Sequence, residues 1–213
     1  QTGIETVATT SLGIQHVNDI VVDVEAEVAK YGYKDWGHRR VFTIDPITSR
    51  DLDDALSIEK ISDSQYLITV YIADVSRFVK EGEGTDAEAR RRATSVYMID
   101  TVEHMLDPKL SQNLCSILPG VVRYCLAVEF KMNATDATID TSSVEFSRCI
   151  MSSCCQFDYD SVQLLLEGKP LTREFHIKNG FTLDQIKEDV LALNKLAQIV
   201  RKRRRDTGSL FLN

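Results

Sequence analysis

The sequence predicts a mixed α/β fold, with a mixed sheet flanked by helices, and three observations support it. Residues 41–152 contain runs of β-branched and aromatic residues that are bounded by turn residues. The residues that follow place apolar side chains at helical spacing. Hydrophobic residues make up 43% and charged residues 27% of the 213 residues, a balance that allows a buried core.

The N-terminal residues 1–40 are predicted to be a lead-in segment from an upstream domain. Apolar residues from Ile20 onwards suggest a strand running into a helix that Tyr31-Gly32-Tyr33 would end. The main domain then begins with a strand at Val41–Ile44. Asp45-Pro46 ends this strand, because the residue before proline is disfavoured in the helical region.

Four further strands are predicted in two pairs. Ala55–Ile61 and Tyr66–Val75 flank a polar turn and predict a hairpin. Because Tyr66–Val75 is apolar at nearly every position, we expect a central strand that is covered on both faces. Tyr124–Met132 and Val144–Ser152 predict two strands joined by a polar loop.

Three helices are predicted from their capping residues and the apolar spacing behind them. They begin at the capping box of Thr85 and Glu88, at Asp158, and at the capping box of Thr182 and Gln185. Gly168 and Gly208 would end the second and third helices. The chain then finishes in an apolar stretch, Ser209–Leu212, which predicts the start of a further strand and therefore an incomplete domain.

The charge pattern suggests a metal-dependent enzyme that acts on a polyanion. The net charge is −7, yet arginines and lysines cluster at Arg39-Arg40, Arg90–Arg92 and Arg201–Arg205. The densest acidic stretch is Asp45–Asp54. Carboxylates can hold a metal and arginines can meet phosphates. The alternative for each cluster alone is a solvated surface.

Other composition features exclude several classes of protein. No apolar run approaches the ~20 residues of a membrane span, and the first ten residues do not resemble a signal peptide, so no membrane partner is expected. The five cysteines form no C-x-x-C pair and predict buried thiols in a reducing, cytoplasmic compartment, with the nucleus and the mitochondrion as alternatives. The four histidines show no metal-ligand spacing.

The stretch Asp45–Asp54 is the most informative segment. It holds four aspartates in ten positions: Asp45, Asp51, Asp53 and Asp54. Carboxylates this close repel one another unless a proton or a cation neutralises them, and hard oxygen ligands suit Mg²⁺ or Mn²⁺. The spacing does not fit an EF-hand. A structural cation loop and a solvated acidic turn remain as alternatives.

The segment Thr-Ile-Asp-Pro-x-x-x-Arg-Asp-Leu-Asp-Asp-Ala-Leu resembles the signature of the ribonuclease II / ribonuclease R superfamily, the RNB exoribonucleases. Further matches follow in the family's order and spacing. These are Ile72–Ser76, Arg92–Tyr97, Met105-Leu106, Leu110-Ser111, Leu114–Ser116 and Gly208–Leu210. The resemblance covers residues 41–213 and identifies them as the N-terminal portion of an RNB catalytic domain.

The resemblance implies a Mg²⁺-dependent, processive exoribonuclease that degrades single-stranded RNA from 3′ to 5′ and releases nucleoside 5′-monophosphates. It implies Asp45 and Asp54 as metal ligands, Asp53 as the carboxylate most needed for turnover and Asp51 as a supporting catalytic residue. Tyr97 would stack on an RNA base near the 3′ end. A core tyrosine is its alternative role.

Arg50 would either hold an RNA phosphate or balance the aspartates. The resemblance also implies flanking small β-barrel RNA-binding domains, the rest of the RNB domain and a possible RNA-decay complex as partners.

The departures from the family pattern fall outside the expected ligands. Tyr71 stands where the family often has histidine, and Asp107 separates Met105-Leu106 from Pro108. Two other functions remain open. One is a truncated or degenerate RNB domain that binds RNA or serves as a scaffold without activity. The other is a Mg²⁺-dependent phosphatase that acts on small phosphoesters.

Overall fold

A computed structural model describes residues 22–208. Strands occupy most of the first two thirds of this range, and the longest helix comes last, so the predicted mixed α/β class is confirmed. The strands are β1 (Lys34–Asp35), β2 (Val41–Asp45), β3 (Asp54–Ser62), β4 (Gln65–Ala73), β5 (Val96–Tyr97), β6 (Val102–Glu103), β7 (Val122–Asn133) and β8 (Glu145–Asp158). The helices are α1 (Val24–Tyr31), α2 (Gly84–Arg92), α3 (Tyr159–Leu166) and α4 (Leu183–Asp206). Short helical turns lie at Val75–Arg77, Leu110–Leu114 and Thr141–Ser143.

The main sheet has six strands in the order β1-β8-β2-β3-β4-β7, and β7 also pairs with β8. The cycle from β2 through β3, β4 and β7 to β8 is therefore closed. The length of β8 makes this closure possible. Its first half pairs antiparallel with β7, whereas its second half pairs parallel with β2, from Phe42↔Cys155 to Asp45↔Asp158.

Most predicted elements are confirmed, several with longer bounds. The β3–β4 hairpin forms, and β7 and β8 extend the two strands predicted after Tyr124. The side chain of Asp158 caps α3, and Thr182 and Gln185 form the predicted capping box of α4. The five cysteines are all buried. The strand predicted around Ile20 and the terminal strand from Ser209 lie outside the described residues.

The capping box predicted at Thr85 and Glu88 is wrong. Helix α2 begins at Gly84, and its cap position is Glu83, two residues before Thr85. Glu83 makes no side-chain hydrogen bond to the helix. The Glu88 carboxylate instead accepts hydrogen bonds from Arg91 and Arg92. The last turn of α2 carries three arginines, and their attraction for Glu88 competes with the cap.

The expectation that β4 is covered on both faces is wrong for one end of the strand. Ile72 is 47% exposed and lies in register between Asp54 of β3 and Leu126 of β7, which is 46% exposed. Residues opposite each other on neighbouring strands point to the same face. Helix α4 covers this face only farther along, where Leu196 packs with Ile68. An open apolar face therefore adjoins Asp54.

No described helix is both long enough and sufficiently apolar to cross a bilayer.

Candidate active site

Four aspartates lie at the connection between β2 and β3, at one end of these two interior strands. Asp45 is the last residue of β2, and Asp54 is the first residue of β3. Because these strands are antiparallel neighbours, the chain reverses its direction between them at this end of the sheet. Asp51 and Asp53 lie on this connection, which we call the aspartate loop (residues 46–53). The topology thus places all four predicted aspartates at the same ends of β2 and β3.

The aspartate loop is fixed to the core through its backbone. Leu52 is fully buried. Its N–H donates to Oγ of Ser116 at 3.0 Å, and its carbonyl oxygen accepts from the N–H of Ile117 at 2.9 Å. The carbonyl oxygen of Asp53 accepts from the N–H of Ala73 at 2.9 Å. These bonds tie the loop backbone to the core, whereas the side chain of Asp53 is exposed.

The electrostatics show that the four carboxylates act on one another. Partial removal from water raises the pKa of Asp45, and repulsion from Asp54, Asp53 and Asp51 raises it further. Partial removal from water is also the main cause that raises the pKa of Asp53, and Asp51 and Asp54 add to it. A cation bound between these aspartates would relieve the repulsion.

The donor set fits a hard divalent cation, although the described residues do not enclose one. Oδ2 of Asp45 is buried and has no hydrogen-bond partner, so it is available as a ligand. Within residues 22–208, no three acidic, histidine or cysteine side chains are grouped to hold a metal. Mg²⁺ commonly takes one or two carboxylates together with water and substrate phosphate, and this donor set matches that pattern.

Tyr97 lies directly beside the aspartate loop. It ends the two-residue strand β5, and 68% of its surface is exposed. Its hydroxyl donates a hydrogen bond to Oδ2 of Asp51 at 3.1 Å, and this bond raises the pKa of Tyr97. The alternative of a core tyrosine is therefore wrong. The exposed ring is available to a ligand that approaches the carboxylates.

A family model for the RNB domain matches residues 33–213, which is most of the chain. This chain belongs to the RNB family. Its relatives include the DIS3-like exonuclease 2 of Xenopus tropicalis, 38% identical over 184 residues that cover 84% of this chain and 22% of the relative. The inactive exonuclease DIS3L2 of Arabidopsis thaliana is 35% identical over 175 residues, which cover 81% of this chain and 16% of that protein.

A solved structure shows the same fold. RNase R of Mycoplasma genitalium, in complex with ribose-methylated single-stranded RNA, is similar with a TM-score of 0.79 and 25% identity. The match covers 98% of this chain and 30% of that chain. The RNB chain described here therefore spans less than a third of these relatives.

Arg50 occupies an exposed position in the aspartate loop of this RNB chain. Among the residues that the structure describes, its guanidinium forms no ion pair or hydrogen bond, so it does not balance the aspartates through direct contact. It lines a cavity of about 360 Å³ together with Gln156 and Arg173. Arg173 is paired with Asp158 at 2.6 Å, whereas Arg50 is available to an anion.

Ser116 is the site residue that the sequence did not single out. It is completely buried, lies 66 residues from Arg50 in the chain, and yet contacts the aspartate loop. Its place in the Leu114–Ser116 match was the only signal in the sequence, and that match indicated no role. A serine hydroxyl that supports a distant loop has no local pattern from which it can be predicted.

Proposed function

We propose that the protein to which this chain belongs is a Mg²⁺-dependent 3′→5′ exoribonuclease that degrades single-stranded RNA processively to nucleoside 5′-monophosphates. The observation that carries the proposal is the aspartate loop. The loop carries Asp51 and Asp53 and is flanked by Asp45 and Asp54, so four aspartates lie at the same ends of β2 and β3, and a buried oxygen of Asp45 is left without a partner. Membership of the RNB family supports the same reaction, because its named relatives include exonucleases.

Each site residue has a task in this proposal. Asp45 and Asp54 would hold the cation, because they end and begin the two strands that fix the site. A bound Mg²⁺, or Mn²⁺ in its place, supplies charge that stabilises the phosphate oxygens and lowers the pKa of water. Asp53 and Asp51 would orient the attacking water and accept its proton.

The RNA would be held by groups that do not react. The exposed ring of Tyr97 would stack on a base near the 3′ end, and stacking is tolerant of base identity. The unpaired guanidinium of Arg50 would contact a phosphate. Flanking β-barrel domains and the rest of the RNB domain would bind the RNA strand, and an RNA-decay complex is a further proposed partner. We place this activity in the cytoplasm, with the nucleus or the mitochondrion as alternatives.

A second candidate is an RNB domain that binds RNA without cutting it. A relative from Arabidopsis thaliana that is named inactive is 35% identical to this chain, and a relative from the same plant that is named an exonuclease is equally similar, so similarity alone does not separate the two candidates. Against the second candidate, all four aspartates of the segment Asp45–Asp54 are present.

The deciding experiment uses the full-length parent protein with and without Mg²⁺. Labelled single-stranded RNA and a generic phosphoester are offered as substrates in parallel. We expect Mg²⁺-dependent release of mononucleotides from the RNA 3′ end and no turnover of the phosphoester. RNA binding without cleavage would establish the second candidate, and turnover of the phosphoester alone would establish a phosphatase.

A further inference from the structure

Ser116 makes two hydrogen bonds to the aspartate loop on either side of one residue. Its Oγ accepts from the N–H of Leu52 at 3.0 Å and donates to the carbonyl oxygen of Arg50 at 2.9 Å. The residue between these two backbone groups is Asp51. A single hydroxyl therefore joins the peptide planes that precede and follow Asp51.

This arrangement restricts the backbone of Asp51. Each peptide unit is planar, so the relative orientation of two successive planes depends only on φ and ψ of the residue between them. The hydroxyl of Ser116 contacts both planes and thus restricts both angles. The direction of the Cα–Cβ bond of Asp51 is restricted with them, and the hydrogen bond from Tyr97 then holds the carboxylate itself.

Ser116 is itself held from several sides. Its side chain is 0% exposed, and its N–H donates to the carbonyl oxygen of Asn113 at 2.9 Å. Its carbonyl oxygen accepts from Nε of Arg123 at 2.8 Å. Arg123 is 4% exposed, and among the described residues its guanidinium bonds only neutral oxygens. The backbone of Ser116 is therefore held on both sides of the side chain that contacts the aspartate loop.

We propose that Ser116 is a positioning residue of the active site, which sets the orientation of Asp51 and through it the contact between Asp51 and Tyr97. The hydroxyl touches no reacting atom in this role. Because this inference rests on the proposed exoribonuclease function, its test needs one readout of catalysis and one that is independent of catalysis.

The test compares three variants of the full-length parent. Ser116→Ala removes the hydroxyl, and Ser116→Thr retains it. Ser153→Ala is the matched control, because Ser153 is also 0% exposed and donates to the carbonyl oxygen of Cys155 at 3.0 Å, away from the aspartate loop. The kinetic readout is kcat and KM for single-stranded RNA. The second readout is hydrogen exchange at the amide of Leu52.

We expect Ser116→Ala to lower kcat by about 10- to 100-fold at unchanged KM, since misplacement of a reacting group by about 1 Å has effects of this size. Ser116→Thr should recover most of kcat, and Ser153→Ala should match the wild type. The Leu52 amide should exchange faster in Ser116→Ala only. A wild-type kcat in Ser116→Ala, or equal losses in Ser116→Ala and Ser153→Ala, would overturn the proposal.

The two readouts separate failure of this inference from failure of the proposed function. If the wild-type parent does not cleave RNA, the proposed function fails, and Leu52 exchange alone then decides the structural role of Ser116. If the wild type cleaves RNA and Leu52 exchange is the same in Ser116→Ala as in the wild type, the positioning role is refuted while the function stands. If Ser116→Thr does not fold, the contrast between the two alanine variants remains decisive.

Discussion

The hydroxyl of Tyr97 donates a hydrogen bond to Oδ2 of Asp51 at 3.1 Å, although the two residues lie 46 positions apart in the chain. The bond joins the small β5–β6 hairpin to the aspartate loop. The ring of Tyr97 remains largely exposed beside the carboxylates. Tyr97 thus offers two separable groups, a hydroxyl that contacts Asp51 and a ring that is free to stack on a base.

The first prediction separates these two groups in the full-length parent. Tyr97→Ala should cost about 1–3 kcal/mol of stacking at one nucleotide and change the length of the shortest product, because short RNA ends dissociate earlier. Tyr97→Phe keeps the ring and should leave the product length unchanged. Gel analysis of end-labelled RNA measures the product lengths of both variants. If the Tyr97→Ala ladder is the same as that of the wild type, Tyr97 does not stack on RNA.

The second prediction concerns the aspartates. Asp53→Asn or Asp54→Asn in the full-length parent should abolish cleavage and leave RNA affinity nearly unchanged, because affinity comes mainly from basic contacts. The control is Asp63→Asn, at the turn after the opposite end of β3, where the carboxylate is paired with Lys60 at 2.7 Å. Rates and filter-binding affinities are measured together. More than a few per cent of the wild-type rate in Asp53→Asn would refute the catalytic assignment.

The third prediction is a pH dependence of stability. The folded state raises the pKa of Asp53, so the unfolded chain loses this proton first as the pH rises. Stability should therefore fall as the pH rises from the unfolded pKa of roughly 4 through the folded pKa, and the full destabilisation should be present above both.

The variant Asp53→Asn lacks this ionisation and should have a higher Tm than the wild type at pH 7. The difference should shrink when the pH is lowered below roughly 4. Thermal unfolding without divalent cations measures the effect. The hydrogen bond with Lys60 lowers the pKa of Asp63, so ionisation of Asp63 favours the folded state. Asp63→Asn should therefore not raise Tm. A lower Tm for Asp53→Asn at pH 7 would contradict the repulsion within the cluster.

The fourth prediction is that residues 1–213, when isolated, self-associate and have little nuclease activity. Phe146 is 80% exposed and lies opposite Val128, next to the open row of Ile72 and Leu126. Apolar faces of this kind favour association. Light scattering measures the mass of the isolated chain in solution. Nuclease activity is measured with single-stranded RNA as the substrate and Mg²⁺ or Mn²⁺ in the buffer.

Replacement of Phe146 by Ser should shift the isolated chain towards the monomer. Ile61→Ser is the control, since Ile61 is 45% exposed but lies near the other end of β3. A monomeric chain that degrades RNA at the rate of the parent would show that residues 1–213 already contain a complete catalytic unit.

Local patterns in the sequence account for the parts of this fold that depend on near neighbours. Pro46 ends β2, the turn before Gln65 makes a hairpin, and Thr182 with Gln185 begins α4. Each of these features depends on contacts between residues a few positions apart, so the physical cause is present in the local sequence. The false capping box at Glu88 shows the limit, because nearby arginines compete for the same carboxylate.

The sequence by itself determined that four aspartates and one arginine lie within ten positions at the junction of two strands. Only the tertiary structure decided which distant groups meet them. The contacts of Tyr97 with Asp51 and of Ser116 with the backbone around it join positions 46 and 64 or more residues apart. Such contacts depend on how the separate β5–β6 hairpin and the segment before β7 pack against the aspartate loop, and no local pattern encodes that packing.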